Sequence, residues 1–132
     1  MAKIKKEKRA VGWKEHVGLP DLKIKSVIAK IDTGANVATI DAANIKFATK
    51  NNVKYVKFTV KKRNNTIRKT SAPLAGFKRI KSSNGDVEKR PYIKTDILMD
   101  GITKNIELTL TDRGPMDYTM LIGRKACLLY TS

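Results

Sequence analysis

Apolar and polar residues alternate through most of this chain, at the period of strands rather than of helices. The plainest case is Val53-Lys54-Tyr55-Val56-Lys57-Phe58-Thr59-Val60, where apolar and cationic residues take near-alternate places, as on a strand with one solvated face. Residues 11–17 and 24–31 read as strands flanking a Leu19-Pro20-Asp21 turn. Further strands are predicted over 37–45, 53–60, 77–81, 87–93, 92–99 and 102–110. Asn84-Gly85, closing Ser82-Ser83-Asn84-Gly85, and Asp100-Gly101 each stand between two such runs. Both mark hairpins, because Asn-Gly and Asp-Gly supply the positive φ that a tight β-turn needs. Arg63-Asn64-Asn65 reads as another turn, and only residues 123–129 read as one or two turns of helix. The expected fold class is all-β, built of hairpins with one short C-terminal helix.

Length and composition limit what such a chain can be. With 132 residues it forms one domain, expected over residues 11–132, behind a lysine-rich flexible arm at 1–10. No stretch has the apolar length of a membrane-spanning helix and the arm has no apolar signal core behind it, so a cytoplasmic location is expected. Cys127 is the only cysteine and lies in the apolar run Ala126-Cys127-Leu128-Leu129, so a buried thiol is expected rather than a disulfide or a nucleophile. His16 is the only histidine, so no His-Glu-x-x-His metal motif can be written. No Gly-x-x-x-x-Gly-Lys-Ser/Thr phosphate loop occurs either. No metal or other cofactor is expected.

The chemistry is concentrated in Asp32-Thr33-Gly34-Ala35, which ends the apolar run Val27-Ile28-Ala29-Lys30-Ile31 and is answered near the C-terminus by Leu121-Ile122-Gly123-Arg124. Taken alone, the first motif reads more readily as a strand ending in a tight turn, with the aspartate bonding its own backbone. The second motif, in the right chain order, favours a catalytic carboxylate. The chain resembles the retropepsin-like aspartic peptidases, and more closely the small bacterial family labelled ATP-dependent zinc proteases. The matching stretches begin with Val11-Gly12-Trp13-Lys14-Glu15, Leu19-Pro20-Asp21-Leu22 and Ala29-Lys30-Ile31-Asp32-Thr33-Gly34-Ala35. They continue with Lys81-Ser82-Ser83-Asn84-Gly85, Arg90-Pro91-Tyr92-Ile93, Leu108-Thr109-Leu110-Thr111-Asp112-Arg113 and Met120-Leu121-Ile122-Gly123-Arg124, so they cover nearly the whole chain.

The resemblance implies a retropepsin-like closed barrel and a homodimer, since the chain has one Asp-Thr-Gly turn and an aspartic peptidase uses two carboxylates. Asp32, Thr33 and Gly34 would form the catalytic turn, with Thr33 reaching across to the other protomer's turn. Ala35 and Asn36 would border the substrate, and the hairpin tip Ser82-Ser83-Asn84-Gly85 would be the flap, or else an ordinary exposed β-turn. Arg113, Met116 and Arg90 are further candidates for the cleft wall, Arg113 being equally readable as a turn residue in a surface ion pair. Leu121, Ile122, Gly123 and Arg124 would support the catalytic turn from behind. At the position of Asn36 retropepsins often carry an acidic residue that pairs with the arginine of the downstream motif, and the closer bacterial family commonly carries arginine. Asn36 departs from both, which leaves Arg124 in need of another partner. The zinc and ATP of the family label find no motif here, so aspartyl chemistry is the reading adopted.

Charge sharpens the substrate expectation. Lys and Arg number 28 against 12 Asp and Glu, a formal balance of +16, and the stretch from Ala42 to Gly85 holds twelve Lys/Arg and no acid. If Lys78, Arg79 and Lys81 lie at the cleft entrance, they attract acidic peptides. The resemblance adds an association with ligases that append glutamates to a ribosomal protein, which implies a poly-glutamate tail as substrate. A rival reading stays open: a basic β-domain without peptidase activity that binds RNA or the ribosome, with Asp-Thr-Gly purely structural. Nucleic acid is thus a possible but secondary partner.

Overall fold

The computed structural model describes residues 13–32, 34–62, 65–81, 85–112 and 118–131. Among these residues nine strands precede one helix: β1 (Trp13–Leu19), β2 (Ile24–Ile31), β3 (Ala38–Lys50), β4 (Val53–Lys62), β5 (Asn65–Pro73), β6 (Gly76–Lys81), β7 (Val87–Met99), β8 (Ile102–Thr111), β9 (Met120–Ile122) and α1 (Arg124–Thr131). The chain is all-β with one short C-terminal helix, as its alternating pattern predicts. Leu19-Pro20-Asp21 falls in a short 3₁₀ turn over Pro20–Leu22 that ends on Lys23 in the left-handed region, φ 60°. The flexible arm expected at residues 1–10 lies outside the described residues.

Six strands close on themselves in the order β3-β8-β7-β1-β2-β9, and β9 returns to β3. Closure leaves those strands no free edge within the ring. The inward face is apolar: Leu19, Ile31, Ile40, Ile93, Ile97, Leu108, Leu110, Met120 and Ile122 are almost wholly excluded from solvent. Two strands of the ring are longer than the ring needs. β3 pairs with β8 over residues 38–41 and then runs on to pair with β4 up to Lys50, carrying β4 and β5 out as a three-stranded extension. β7 pairs with β6 over residues 87–92 and with β8 over 92–99, so the two runs read separately from the sequence are one continuous strand.

Turn chemistry sets these registers. Asn51 and Asn52 both have positive φ (52° and 66°) and join β3 to β4; Asp100 and Gly101 (53° and 76°) join β7 to β8. Two consecutive left-handed residues are the signature of the type I′ turn, whose twist matches that of the flanking strands. β5 was not expected from the sequence. Most of its side chains are exposed on both faces, because it is the outer strand of the extension, so no alternation announces it.

The helix is fastened to the barrel by a hydrogen bond rather than by its apolar face alone. Tyr130, almost wholly buried, places its hydroxyl 2.7 Å from the Ile97 carbonyl of β7 and 3.0 Å from the Ile102 carbonyl of β8, donating between them. Burial pushes its pKa up to about 12. Replacing Tyr130 by Phe is expected to lower unfolding free energy by about 1–3 kcal/mol in urea titrations, since two buried acceptors lose their donor. Because the folded phenol ionises later than the unfolded one, its contribution is complete below about pH 10 and is lost as pH rises through about 12. The alkaline fall in stability should therefore be steeper in the wild type than in Tyr130→Phe.

Candidate functional site

Asp32 follows directly on β2. Its backbone N–H donates to the Ile122 carbonyl of β9 at 2.9 Å, its carbonyl accepts from the Ala35 N–H at 3.1 Å, and its Oδ1 accepts from the Gly34 N–H at 3.0 Å. The carboxylate is thus aimed by its own turn, and a Cβ at Gly34 would stand 3.1 Å from that same Oδ1. Thr33 lies outside the described residues.

The support comes from β9, only three residues long, wedged between β2 and β3. Residues Ala29, Lys30 and Ile31 run parallel to Met120, Leu121 and Ile122, while Thr39 and Ile40 run antiparallel to Leu121 and Met120. Past the strand, Arg124 N–H donates to the Ala35 carbonyl at 2.7 Å and Lys125 N–H to the Asn36 carbonyl at 3.3 Å, so the start of α1 caps the turn. Between strand and helix stands Gly123, buried, where a Cβ would meet the backbone of Val37 at 2.6–2.8 Å. No side chain fits there. Arg124, whose partner the sequence left undecided, directs Nη2 toward the Asn36 Oδ1 at 3.4 Å, a long contact between two exposed side chains.

A cleft of about 860 Å³ opens over the turn. Asp32, Gly34, Ala35, Asn36 and Leu121 line it, whereas Ile122 and Gly123 are buried and, like Arg124, do not face it. On the other side it is walled by Lys78, Arg79, Ile80 and Lys81 of β6 and by Arg90 of β7. These two strands form the hairpin expected as the flap; Ser82, Ser83 and Asn84 at its tip lie outside the described residues, as do Arg113 and Met116. Gly85 is exposed and does not line the cleft. Thr39, Tyr118 and Lys125 also line it and carry no sequence motif of their own. Lys125 alone had a signal, its place directly after Arg124.

The electrostatics are one-sided: Lys78, Arg79, Lys81, Arg90 and Lys125 face the cleft, with Asp32 as the only acid among its lining residues. Two of the cations are already engaged. Lys78 Nζ lies 2.9 Å from Glu107 Oε1 and 4.6 Å from the centre of the Tyr92 ring, and Arg90 Nη2 lies 3.2 Å from Glu88 Oε2. The hydrogen bond from Lys78 holds the Glu107 carboxyl below its ordinary range. Among the described residues, no three His, Cys, Asp or Glu side chains come together as a metal-ligand set.

An aspartate on a glycine turn, buttressed by an apolar strand inside a closed β-barrel and covered by a hairpin, is the arrangement of the retropepsin-like class. Within that class the chain belongs to the RimB-like family, described as the retropepsin-like aspartic endopeptidase RimB, whose model matches residues 10–129. A protein named "Probable alpha-L-glutamate ligase" from Shewanella halifaxensis is 34% identical over 119 residues, covering 88% of this chain and 26% of that protein. A protein of the same name from Desulfotalea psychrophila is 32% identical over 124 residues, 92% of this chain and 27% of its own length. The chain therefore spans about a quarter of the length of these relatives. The crystal structure of a Legionella pneumophila protein of unknown function (DUF785) has a TM-score of 0.73 and 28% identity, covering 91% of this chain and 87% of that one.

The close approach at Gly123 carries a direct expectation. Gly123→Ala forces β9 away from Val37 and should destabilise the fold by about 1–3 kcal/mol or more, as overpacking does. Urea titration measures the loss.

Proposed function

We propose that two copies of this chain form an aspartic endopeptidase with one active site, each contributing Asp32. The observation that carries this reading is the aim of the Asp32 carboxylate into a cleft from a turn fixed on both sides by backbone hydrogen bonds. One turn per chain supplies one carboxylate, and acid–base hydrolysis of an amide calls for two. Brought together, two carboxylates share one proton and titrate as a pair. The ionised member removes a proton from a water as its oxygen attacks the scissile carbonyl carbon, while the protonated member donates to the carbonyl oxygen. In the resulting diol the amide nitrogen takes a proton from the protonated member of the dyad, a diol hydroxyl gives its proton to the ionised member, the C–N bond breaks, and a carboxylic acid and an amine leave with the dyad again holding one proton. No covalent intermediate forms.

The substrate we assign is an acidic peptide, with poly-glutamate as the leading candidate. Five cations facing one cleft support this electrostatically. The occurrence of this region within proteins named for glutamate ligation supports it independently, since a hydrolase joined to a ligase of the same polymer gives control over its length.

Asp32→Asn should leave the fold intact and reduce hydrolysis of a poly-glutamate peptide by at least about 10²-fold, the lower range of a lost acid–base group. Wild-type activity should persist in a metal chelator and should fall on dilution as dimers separate. An active monomer in sedimentation, or full activity in the Asn variant, would sink the proposal.

Glu107→Gln tests the cleft charge separately. It releases Lys78 from its ion pair and is expected to lower KM for acidic peptides several-fold with kcat little changed, the pattern of altered ground-state binding. The preference for acidic over neutral peptides should shrink with added salt, because the screening length is about 10 Å at 0.1 M.

A further inference from the structure

A second basic concavity lies where the Asp32 cleft is not. It is a groove of about 630 Å³ lined by Lys23, Lys46, Lys57, Arg68 and Lys69, and it shares no lining residue with the cleft. Lys23 immediately precedes β2 and Asp32 immediately follows it, so the two residues are about 30 Å apart along the extended strand.

The groove is built at a cost. Lys46 of β3 and Lys57 of β4 are directly opposite one another in the ladder, and Lys69 of β5 faces Thr59, one same-face step from Lys57. Like charges directly opposite on a sheet are destabilising. Among the described residues no ion pair joins any of the five cations to a carboxylate. The one acid in the lining, Asp21, is occupied in accepting the Asp96 N–H at 3.0 Å. The surface is arranged to receive an external anion with several charges.

Its chemistry discriminates between partners. The only apolar side chain in the lining, Phe58, is 2% exposed, so the groove has neither the apolar anchor at the centre of most protein–protein contacts nor a ring on which a base could stack. What it offers besides cations are groups that both donate and accept, among them Asn44, Thr70 and Ser71. Phosphates answer the cations, and ribose 2′-hydroxyls answer the amide and hydroxyls. Recognition through those two groups, without reading bases, is how duplex RNA is held. We propose that the β3-β4-β5 face of this protein is a binding surface for the sugar-phosphate backbone of double-stranded RNA, independent of sequence and separate from the Asp32 cleft.

The experiment is fluorescence anisotropy with a labelled RNA duplex of about 20 base pairs, longer than the roughly 16 that a double-strand-binding domain covers. The DNA duplex of the same sequence and a poly-glutamate peptide serve as competitors. Wild-type protein should bind the RNA and prefer it to DNA. The triple variant Lys46→Glu, Lys57→Glu, Lys69→Glu should lose at least about tenfold in affinity, and the slope of log affinity against log salt should shrink by about 2–3, one unit for each phosphate that no longer meets a lysine. Its hydrolysis of poly-glutamate should stay at the wild-type level. Lys→Gln at the same positions should weaken binding in the same direction with less charge change, which guards against a misfolded triple variant. Reversing three exposed lysines elsewhere, Lys14, Lys94 and Lys104, should cost much less. Equal loss in that control, absence of RNA binding, DNA bound as tightly as RNA, or displacement of the RNA by poly-glutamate through these same lysines would each overturn the proposal.

Discussion

The contact between Gly123 and the backbone of Val37 is the constraint on which the site depends. β9 has only three residues, yet it must satisfy β2 on one side and β3 on the other, and the chain must then turn at once into α1. With a Cβ at residue 123 in collision with Val37, only glycine lets β9 lie close enough to accept the Asp32 N–H and let Arg124 and Lys125 cap the turn. The tripeptide aims the carboxylate, and the closed barrel fixes where that turn sits. A turn with the same three residues on an open sheet would have no such seat.

The distribution of charge follows from the same architecture. The barrel interior is apolar, and most of the cations that line the two concavities stand on the two structures that leave it, the β6-β7 hairpin and the β3-β4-β5 extension. Each extension presents its lysines to a concavity at a different end of β2. Few carboxylates are available to neutralise them, since the whole stretch from Ala42 to Gly85 lacks Asp and Glu. One exception is Lys61, which reaches Asp112 at 2.8 Å and Asp41 at 3.9 Å and so ties the base of the extension to the end of β8. That hydrogen bond to Asp112 raises the pKa of Lys61.

Much of the architecture was legible because barrel strands have one wet and one dry face. Residues 24–31 and 53–60 show the alternation and fold as read, and Asp100-Gly101 is the tight turn its residue types demand. Where both faces are wet, the signal vanishes, and β5 went unseen for that reason. Where a strand serves two partners in succession, as β7 does, one element looks like two. The site divides in the same way. Asp32 and the Leu121-Ile122-Gly123-Arg124 run were visible as local motifs, whereas Thr39 and Tyr118 reach the cleft only through strand order, which no single window of sequence encodes. Asn36, unusual on comparison, turns out to face Arg124 itself.

β7 is both the wall of the barrel and one arm of the hairpin over the cleft, and its two halves differ in how they tolerate a change of length. From Pro91 to Met99 every second residue is buried, so inserting one residue there would turn Ile93, Thr95, Ile97 and Met99 outward and put charged neighbours in the core. From Val87 to Arg90 no side chain is fully buried and the strand pairs only with β6, so a matched insertion in both arms lengthens the hairpin and leaves the barrel untouched. Divergence within this fold has one inexpensive direction: reach over the cleft can drift by pairs of residues while the Asp32 turn beneath it stays where the barrel sets it.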